Sequence, residues 1–289
     1  MSQRNGLGLL ILLAGSAVDS TSGVLTRMTH ADGFTTASAR GFLAFLFLVG
    51  ILAWREKGNV LPAFRRIGLW GAVFATMNSA GMVLNVLSLK FTAVANFFMI
   101  FATAPFLAAV LGWLVLREKL DWPTLMAALA GVLGIAIMVS GGLTGLNLGD
   151  GLAMIVVCAY AVNVLILRKA GDVDILALVA ATVLASGFVA LPFADFRGLT
   201  TQDWGVLGAL GFVQLGLGNI LIFSAVTRVS AAQAGLLGIM GAVFAPSWVF
   251  LVLREVPPDR TLIGGAVILG AGLLHFFWTM AQPRLQPQE

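Results

Sequence analysis

The feature that most restricts this chain is a succession of apolar runs with very little between them. Ten stretches of about twenty mostly apolar residues occur, near 7–26, 36–54, 67–89, 94–116, 123–140, 149–168, 173–193, 204–227, 231–253 and 261–280. Lipid offers no partner for backbone N–H and C=O groups, so a run of that length in a bilayer folds as a helix that satisfies its own backbone. Composition agrees: 59% of the 289 residues are hydrophobic and 10% are charged, against roughly 25% charged in a soluble domain. The expectation is an all-α integral membrane protein with no soluble domain. Its net charge of +4 would point to nucleic acid in a soluble chain, but here Lys and Arg fall in connections, where they orient spans. The single cysteine, Cys158, lies in an apolar run, which excludes a disulfide framework and a thiol-rich metal site. Arg4, the run Leu7–Ala14 and Gly15-Ser16-Ala17 look like a secretory signal, yet nine further runs follow, so a retained first helix is expected.

The runs repeat. Residues Asn96 to Glu118 and Ala234 to Glu255 both end Leu-Val-Leu-Arg-Glu, at an offset of 137. Lys90-Phe91-Thr92-Ala93 matches Arg228-Val229-Ser230-Ala231 at 138, and Trp70-Gly71 and Asn85 match Trp204-Gly205 and Asn219 at 134. Gly8 to Arg27 matches Gly149 to Arg168 at 141, which sets Asp19 opposite Tyr160 and Ser22 opposite Asn163. Residues 1–144 and 145–289 therefore read as two halves of five spans each. Five is odd, so the halves cross the membrane in opposite senses: ten transmembrane helices as two inverted five-helix repeats. With the N-terminus inside, eleven Lys and Arg fall on the inner side (Arg4, Arg55, Lys57, Arg65, Arg66, Arg117, Lys119, Arg168, Lys169, Arg228, Arg284). Five fall outside (Arg27, Lys90, Arg197, Arg254, Arg260), which favours both termini cytoplasmic.

Inverted repeats imply alternating access to a site between the halves, near broken helices and mid-depth polar residues. Span 1 carries Asp19 among Ser16, Ser20, Thr21 and Ser22, and span 2 carries Arg40 in its first two turns. An isolated charge at that depth costs at least ~2.5 kcal/mol, so a structural Asp19–Arg40 ion pair is expected, compatible with a part in substrate or proton handling. The candidate lining residues are Asp19, Asn78, Asn85, Phe101, Tyr160, Asn163, Gln214, Asn219 and Trp248. Pro105 and Pro246 each remove a backbone hydrogen bond and are expected to kink spans 4 and 9, at places that do not coincide because Ala242 stands at the offset of Pro105. The glycine row Gly205, Gly208 and Gly211 reads as tight packing. His275 reads as packing, Glu118 and Glu255 as structural, and Asp172 and Asp174 as solvated.

The ten spans, the five-plus-five duplication, Pro105 with Arg117-Glu118, Pro246 with Arg254-Glu255, and Ala39-Arg40-Gly41 resemble the drug/metabolite transporter superfamily, specifically its EamA-domain members. The resemblance covers nearly the whole chain. It implies a central cavity, both termini inside, a bacterial inner-membrane location and export of amino acids or related metabolites. The YddG-type exporters of aromatic and other neutral amino acids are the nearest functional type, although Ala104 stands where their pattern places an aromatic. No cofactor and no metal are expected. The expected partners are an amino-acid-like small molecule and the bilayer, not nucleic acid, with the chain a monomer or weak homodimer.

Three other classes compete with a carrier. A membrane enzyme lacks support, because acidic residues, Asp19 excepted, lie almost wholly in connections or at span ends and neither HExxH, GxSxG nor paired intramembrane aspartates occur. A channel would show a filter sequence or a ring of like charges. A flippase for lipid or lipid-linked intermediates, or a carrier of other specificity, would fit the same repeat; a lipid calls for a laterally open apolar groove and an amino acid for a polar pocket.

Overall fold

The computed structural model describes residues 3–118, 120–140, 147–170, 173–226, 228–229 and 236–281. Lys119, Asp172 and Arg284 lie outside the described residues, as do the side chains of Arg4, Arg168 and Lys169.

In chain order the helices are α1 (Gln3–Asp19), α2 (Ser22–Met28), α3 (Gly33–Arg55), the short α4 (Leu61–Arg65), α5 (Gly68–Phe91), α6 (Val94–Phe101), α7 (Ala104–Leu116) and α8 (Trp122–Val139). The second half follows with α9 (Leu148–Ala170), α10 (Ile175–Ala190), α11 (Thr201–Gly208), a π-helical segment (Ala209–Leu217), α12 (Gly218–Val226), α13 (Leu236–Leu253) and α14 (Asp259–Ala281). Among the described residues there is no strand, and nine segments are long and apolar enough to cross a membrane. The expected ninth span appears as α13, whose apolar stretch Met240–Leu253 is shorter.

Local chemistry sets the ends. Asp32 caps α3, its carboxylate accepting from the N–H groups of Phe34 (2.8 Å) and Thr35 (3.0 Å). Asp174 caps α10 in the same manner through Ala177 N–H (3.2 Å). Asp174 is therefore not the solvated loop residue expected: it also meets Arg55 and Arg66, and its side chain is 8% exposed. Arg117 and Arg254, the repeat mates that end spans 4 and 9, both hold left-handed φ values, 54° and 56°.

Helix packing carries the signature of a pseudo-two-fold axis. Three pairs join a span to its own repeat mate: α3 on α10, α8 on α14 and α6 on α13. The others come in exchanged couples: α5 on α9 with α12 on α1, α5 on α10 with the π segment on α3, and α7 on α9 with α13 on α1. The two halves are thus intertwined, each span of one half packing as its mate packs in the other. Of the glycine row, only Gly211 sits tight, where an added Cβ would lie 2.4 Å from the Leu43 Cβ; Gly205 has open space around it.

Candidate functional site

Among the described residues three spans lose regular α-helical geometry part-way along their length, and all three do so around one cavity. Span 1 breaks between α1 and α2, where Ser20 Oγ and Thr21 Oγ1 fold back to donate to the carbonyls of Ala17 (2.8 Å) and Val18 (2.6 Å). These hydroxyls satisfy carbonyls that a continuing helix would have used. Span 4 breaks between α6 and α7. Pro105 has no N–H to give the Phe101 carbonyl and its ring crowds that carbonyl, while Thr103 Oγ1 donates to Ile100 O (2.7 Å). Span 8 widens into the π segment, and Asn219 Nδ2 donates to the Leu215 carbonyl (2.6 Å) within it. Pro246, expected to kink span 9, lies inside α13 without interrupting it.

The cavity holds about 260 Å³ and draws its lining from both halves. Asp19, Arg40, Asn78, Asn85, Phe101, Tyr160, Gln214 and Asn219 line it, with Ser22, Met82, Phe97 and Phe98 among their neighbours. Asp19 and Arg40 face it without closing the ion pair that the sequence predicts. Asp19 Oδ1 instead accepts from Gln214 Nε2 (2.8 Å), because α1 packs on the π segment, and Arg40 Nη2 donates to the Met82 carbonyl (2.9 Å) on α5. The aromatic wall is built from α6 and α9. Phe101 stacks on Phe97 (5.8 Å, 13°) and meets Tyr160 edge-on (5.3 Å, 68°).

Two sequence candidates stand outside the lining. Asn163 is buried behind it and donates to Asn78 Oδ1 (3.2 Å). Trp248 donates through Nε1 to Ser20 Oγ (3.0 Å) and the Ala17 carbonyl (3.2 Å), bracing the break in span 1. Sequence reasoning passed over Phe97 and Phe98, although Phe97 precedes Phe101 by one helical turn, a spacing that puts both on one face. His275 packs edge-on against Phe106 (5.5 Å) and shares a hydrogen bond with Thr124 Oγ1 (2.9 Å). Among the described residues no three His, Cys, Asp or Glu side chains gather as a metal site.

Beyond the cavity the two ends of the bundle differ. At one end two aspartates, each 1% exposed, tie connections of the two halves together. Asp150 Oδ1 accepts from Thr92 Oγ1 and from Asn96 Nδ2 (3.1 Å), and Asn96 Oδ1 in turn accepts from Thr261 Oγ1. Asp203 accepts from Thr29 Oγ1 (3.1 Å), His30 N–H (2.8 Å) and Thr200 Oγ1 (2.7 Å). Arg27 Nη2 donates to Thr92 O (2.6 Å) and lies 3.9 Å from Glu255. At the other end Arg55 meets Asp174, and Arg66 meets Glu56 (2.9 Å) and Asp174 (3.4 Å), with the arginine side chains 41% and 52% exposed.

This geometry has counterparts. The profile of the EamA-like transporter family matches residues 6–140 and 147–277. The chain is similar to the pseudopaline exporter CntI of Pseudomonas aeruginosa (strain UCBPP-PA14), 35% identical over 95 residues; that match spans 32% of each chain, about a third of the relative's length. It is also similar to the biotin transporter of Escherichia coli (strain K12), 24% identical over 264 residues that cover 86% of this chain and 85% of the relative. One crystal structure superposes with a TM-score of 0.69 at 16% identity, covering 96% of this chain and 100% of its own, a likeness of fold alone.

Proposed function

The chain belongs to the EamA-like transporter family, and from that premise we propose that it is a secondary transporter of the bacterial inner membrane that exports small metabolites, foremost neutral or aromatic amino acids. One observation carries the proposal: the cavity between the halves offers one carboxylate, one guanidinium, four carboxamides and an aromatic wall. A zwitterion needs opposite charges at its two ends, and Asp19 and Arg40 supply them. The aromatic wall formed by Phe97, Phe101 and Tyr160 suits an apolar or aromatic side chain. The volume lies just below the ~300–1,000 Å³ of pockets for drug-sized ligands, which suits a metabolite of amino-acid size. Relatives named as a pseudopaline exporter and as a biotin transporter support the class.

The architecture supports alternating access. Residues 1–144 and 145–289 act as the two repeats, and the breaks in spans 1 and 4 supply places where helices bend without losing further hydrogen bonds. The excess of Lys and Arg on the α4 side supports both termini in the cytoplasm. A lipid substrate is the second reading, favoured by an apolar groove of about 520 Å³ between α7, α8 and α9. No charged side chain lines that groove to receive a headgroup, so the polar cavity is the better transport site.

Counterflow in proteoliposomes with a panel of labelled amino acids tests the reading. Exchange of neutral or aromatic amino acids is expected, and absence of exchange with every member of the panel would sink it. The same vesicles report coupling. If Asp19 carries a proton, an imposed pH gradient raises the initial rate and Asp19→Asn removes that dependence.

A further inference from the structure

We infer that Trp248 is a positioning residue of the transport site: it reaches across from the second half, holds the break in span 1, and so keeps Asp19 directed at the cavity. The inference rests on the cavity being the transport site. Asp19 is the last residue of α1, and the two groups that Trp248 contacts flank it in the chain. The indole Nε1–H donates to the Ala17 carbonyl (3.2 Å) and to Ser20 Oγ (3.0 Å), and Ser20 Oγ donates in turn to the same carbonyl (2.8 Å). An indole N–H can only donate, so the direction of these bonds is fixed.

The C-terminal end of a helix is a poor place for a carboxylate. The last carbonyls of α1 lack helical donors, and their partial negative charge opposes that of Asp19. The indole and the hydroxyls of Ser20 and Thr21 take up the Ala17 and Val18 carbonyls, while the carboxylate faces the cavity and Gln214 (2.8 Å). Without the indole, the Ala17 carbonyl is left with the Ser20 hydroxyl alone among the described residues, and span 1 loses a hold that the second half supplies.

The repeat supplies its own control. At the offset of 137 the mate of Trp248 is Leu111, and at 141 the mate of Ser20 is Ala161. The helix that carries Leu111, α7, packs on α9, which carries Ala161, as α13 packs on α1. Leu111 has no donor and Ala161 no hydroxyl, and α9 runs unbroken from Leu148 to Ala170 with Tyr160 in the place of Asp19. The brace, the break and the carboxylate thus occur together in one half and are missing together from the other, as parts of one device should be.

The test uses proteoliposomes holding the full chain and the labelled amino acid of the panel that exchanges fastest. Trp248→Phe keeps an aromatic ring and removes the N–H. A smaller fraction of the protein then holds Asp19 in place, and apparent affinity falls with that fraction. The KM is expected to rise several-fold, up to about ten-fold for the hydrogen bonds lost, with kcat nearly unchanged. The α-hydroxy analogue of the same amino acid brings no positive charge to Asp19, so its competition should weaken less and the preference for the amino acid should narrow. Ser20→Ala keeps the indole but removes one of its two acceptors; it should shift KM and preference the same way by a smaller factor, and it decides the matter if Trp248→Phe folds poorly. An unaltered KM would overturn the inference, and so would equal weakening of amino acid and analogue, the mark of a packing role; either result leaves amino-acid transport standing. Failure of every amino acid to exchange would overturn the transport reading, and the positioning role with it.

Discussion

The two ends of the bundle do the same job by different chemistry. At one end Asp150 and Asp203 are buried, fully engaged and shared between connections of both halves. At the other, Arg55 and Arg66 meet Asp174 and Glu56 with their guanidinium groups half in solvent. Pairs whose arginine is half in solvent contribute about 0–1 kcal/mol, even where, as at Asp174, the carboxylate is 8% exposed; removing a carboxylate whose donors are buried leaves them unsatisfied at about 1–3 kcal/mol apiece. The inequality is written into the repeat. At the offsets of 141 and 134, the mates of Asp150 and Asp203 are Leu9 and Leu69, which cannot form such bonds. Two halves alike in fold are therefore unlike in how their ends are held together, and the aspartate end is the one tied by buried carboxylates.

Substitutions can break or sharpen this contrast. The largest effect is expected for Asp150→Ala, which orphans donors on Thr92 and Asn96; it should destabilise the protein by about 3 kcal/mol. Thermal denaturation of the detergent-solubilised protein measures it, and an unchanged midpoint would dissolve the contrast. Next comes a matched pair of glycines. A Cβ on Gly149 would lie 2.5 Å from the Thr92 backbone nitrogen, whereas one on its mate Gly8 would meet the Arg228 and Val229 side chains at 3.0 Å. Gly149→Ala should cost about 2 kcal/mol and Gly8→Ala clearly less, read as folded yield after heating; equal losses would mean that both ends are packed to the same tolerance. Asp203→Asn keeps the shape but weakens the bonds from Thr29 and His30, for about 1–2 kcal/mol. A more accessible cysteine placed at position 30, assayed by thiol labelling, reports that loosening. Arg66→Ala should move stability by less than about 1 kcal/mol, and a drop as large as that of Asp150→Ala would reverse the ranking of the two ends.

Much of the architecture was readable because hydropathy and repeat spacing act on whole segments. Apolar length dictates helices in lipid, and an odd number of spans per half dictates inversion. The rule that polar groups in spans face the interior picked out Asp19, Asn78, Asn85, Gln214 and Asn219, all of which line one cavity. What escaped depends on which helices touch. The partner of Asp19 is Gln214 because α1 packs on the π segment, and no spacing along the chain encodes that. Ser20 and Thr21 break span 1 through hydroxyls that bond backward, an effect to which a hydropathy window is blind. Trp248 looked like a lining residue and is a brace, since both of its hydrogen bonds go to span 1. Asp150 and Asp203 stand in the first turns of α9 and α11, and the partners that bury them, Thr92 with Asn96 and Thr29 with His30, come from the other half of the chain.

The left-handed arginines at 117 and 254 carry a history. A non-glycine residue in that conformation is disfavoured by about 1 kcal/mol, and among the described residues Lys57 is the other non-glycine residue to adopt it. The halves have since diverged in their breaks, their prolines and their buried acids, yet each still ends the same span with this exception, on opposite faces of the membrane. The same turn thus closes the same span in both halves whichever way that span runs, so the local sequence that ends the helix sets it and not the compartment it faces.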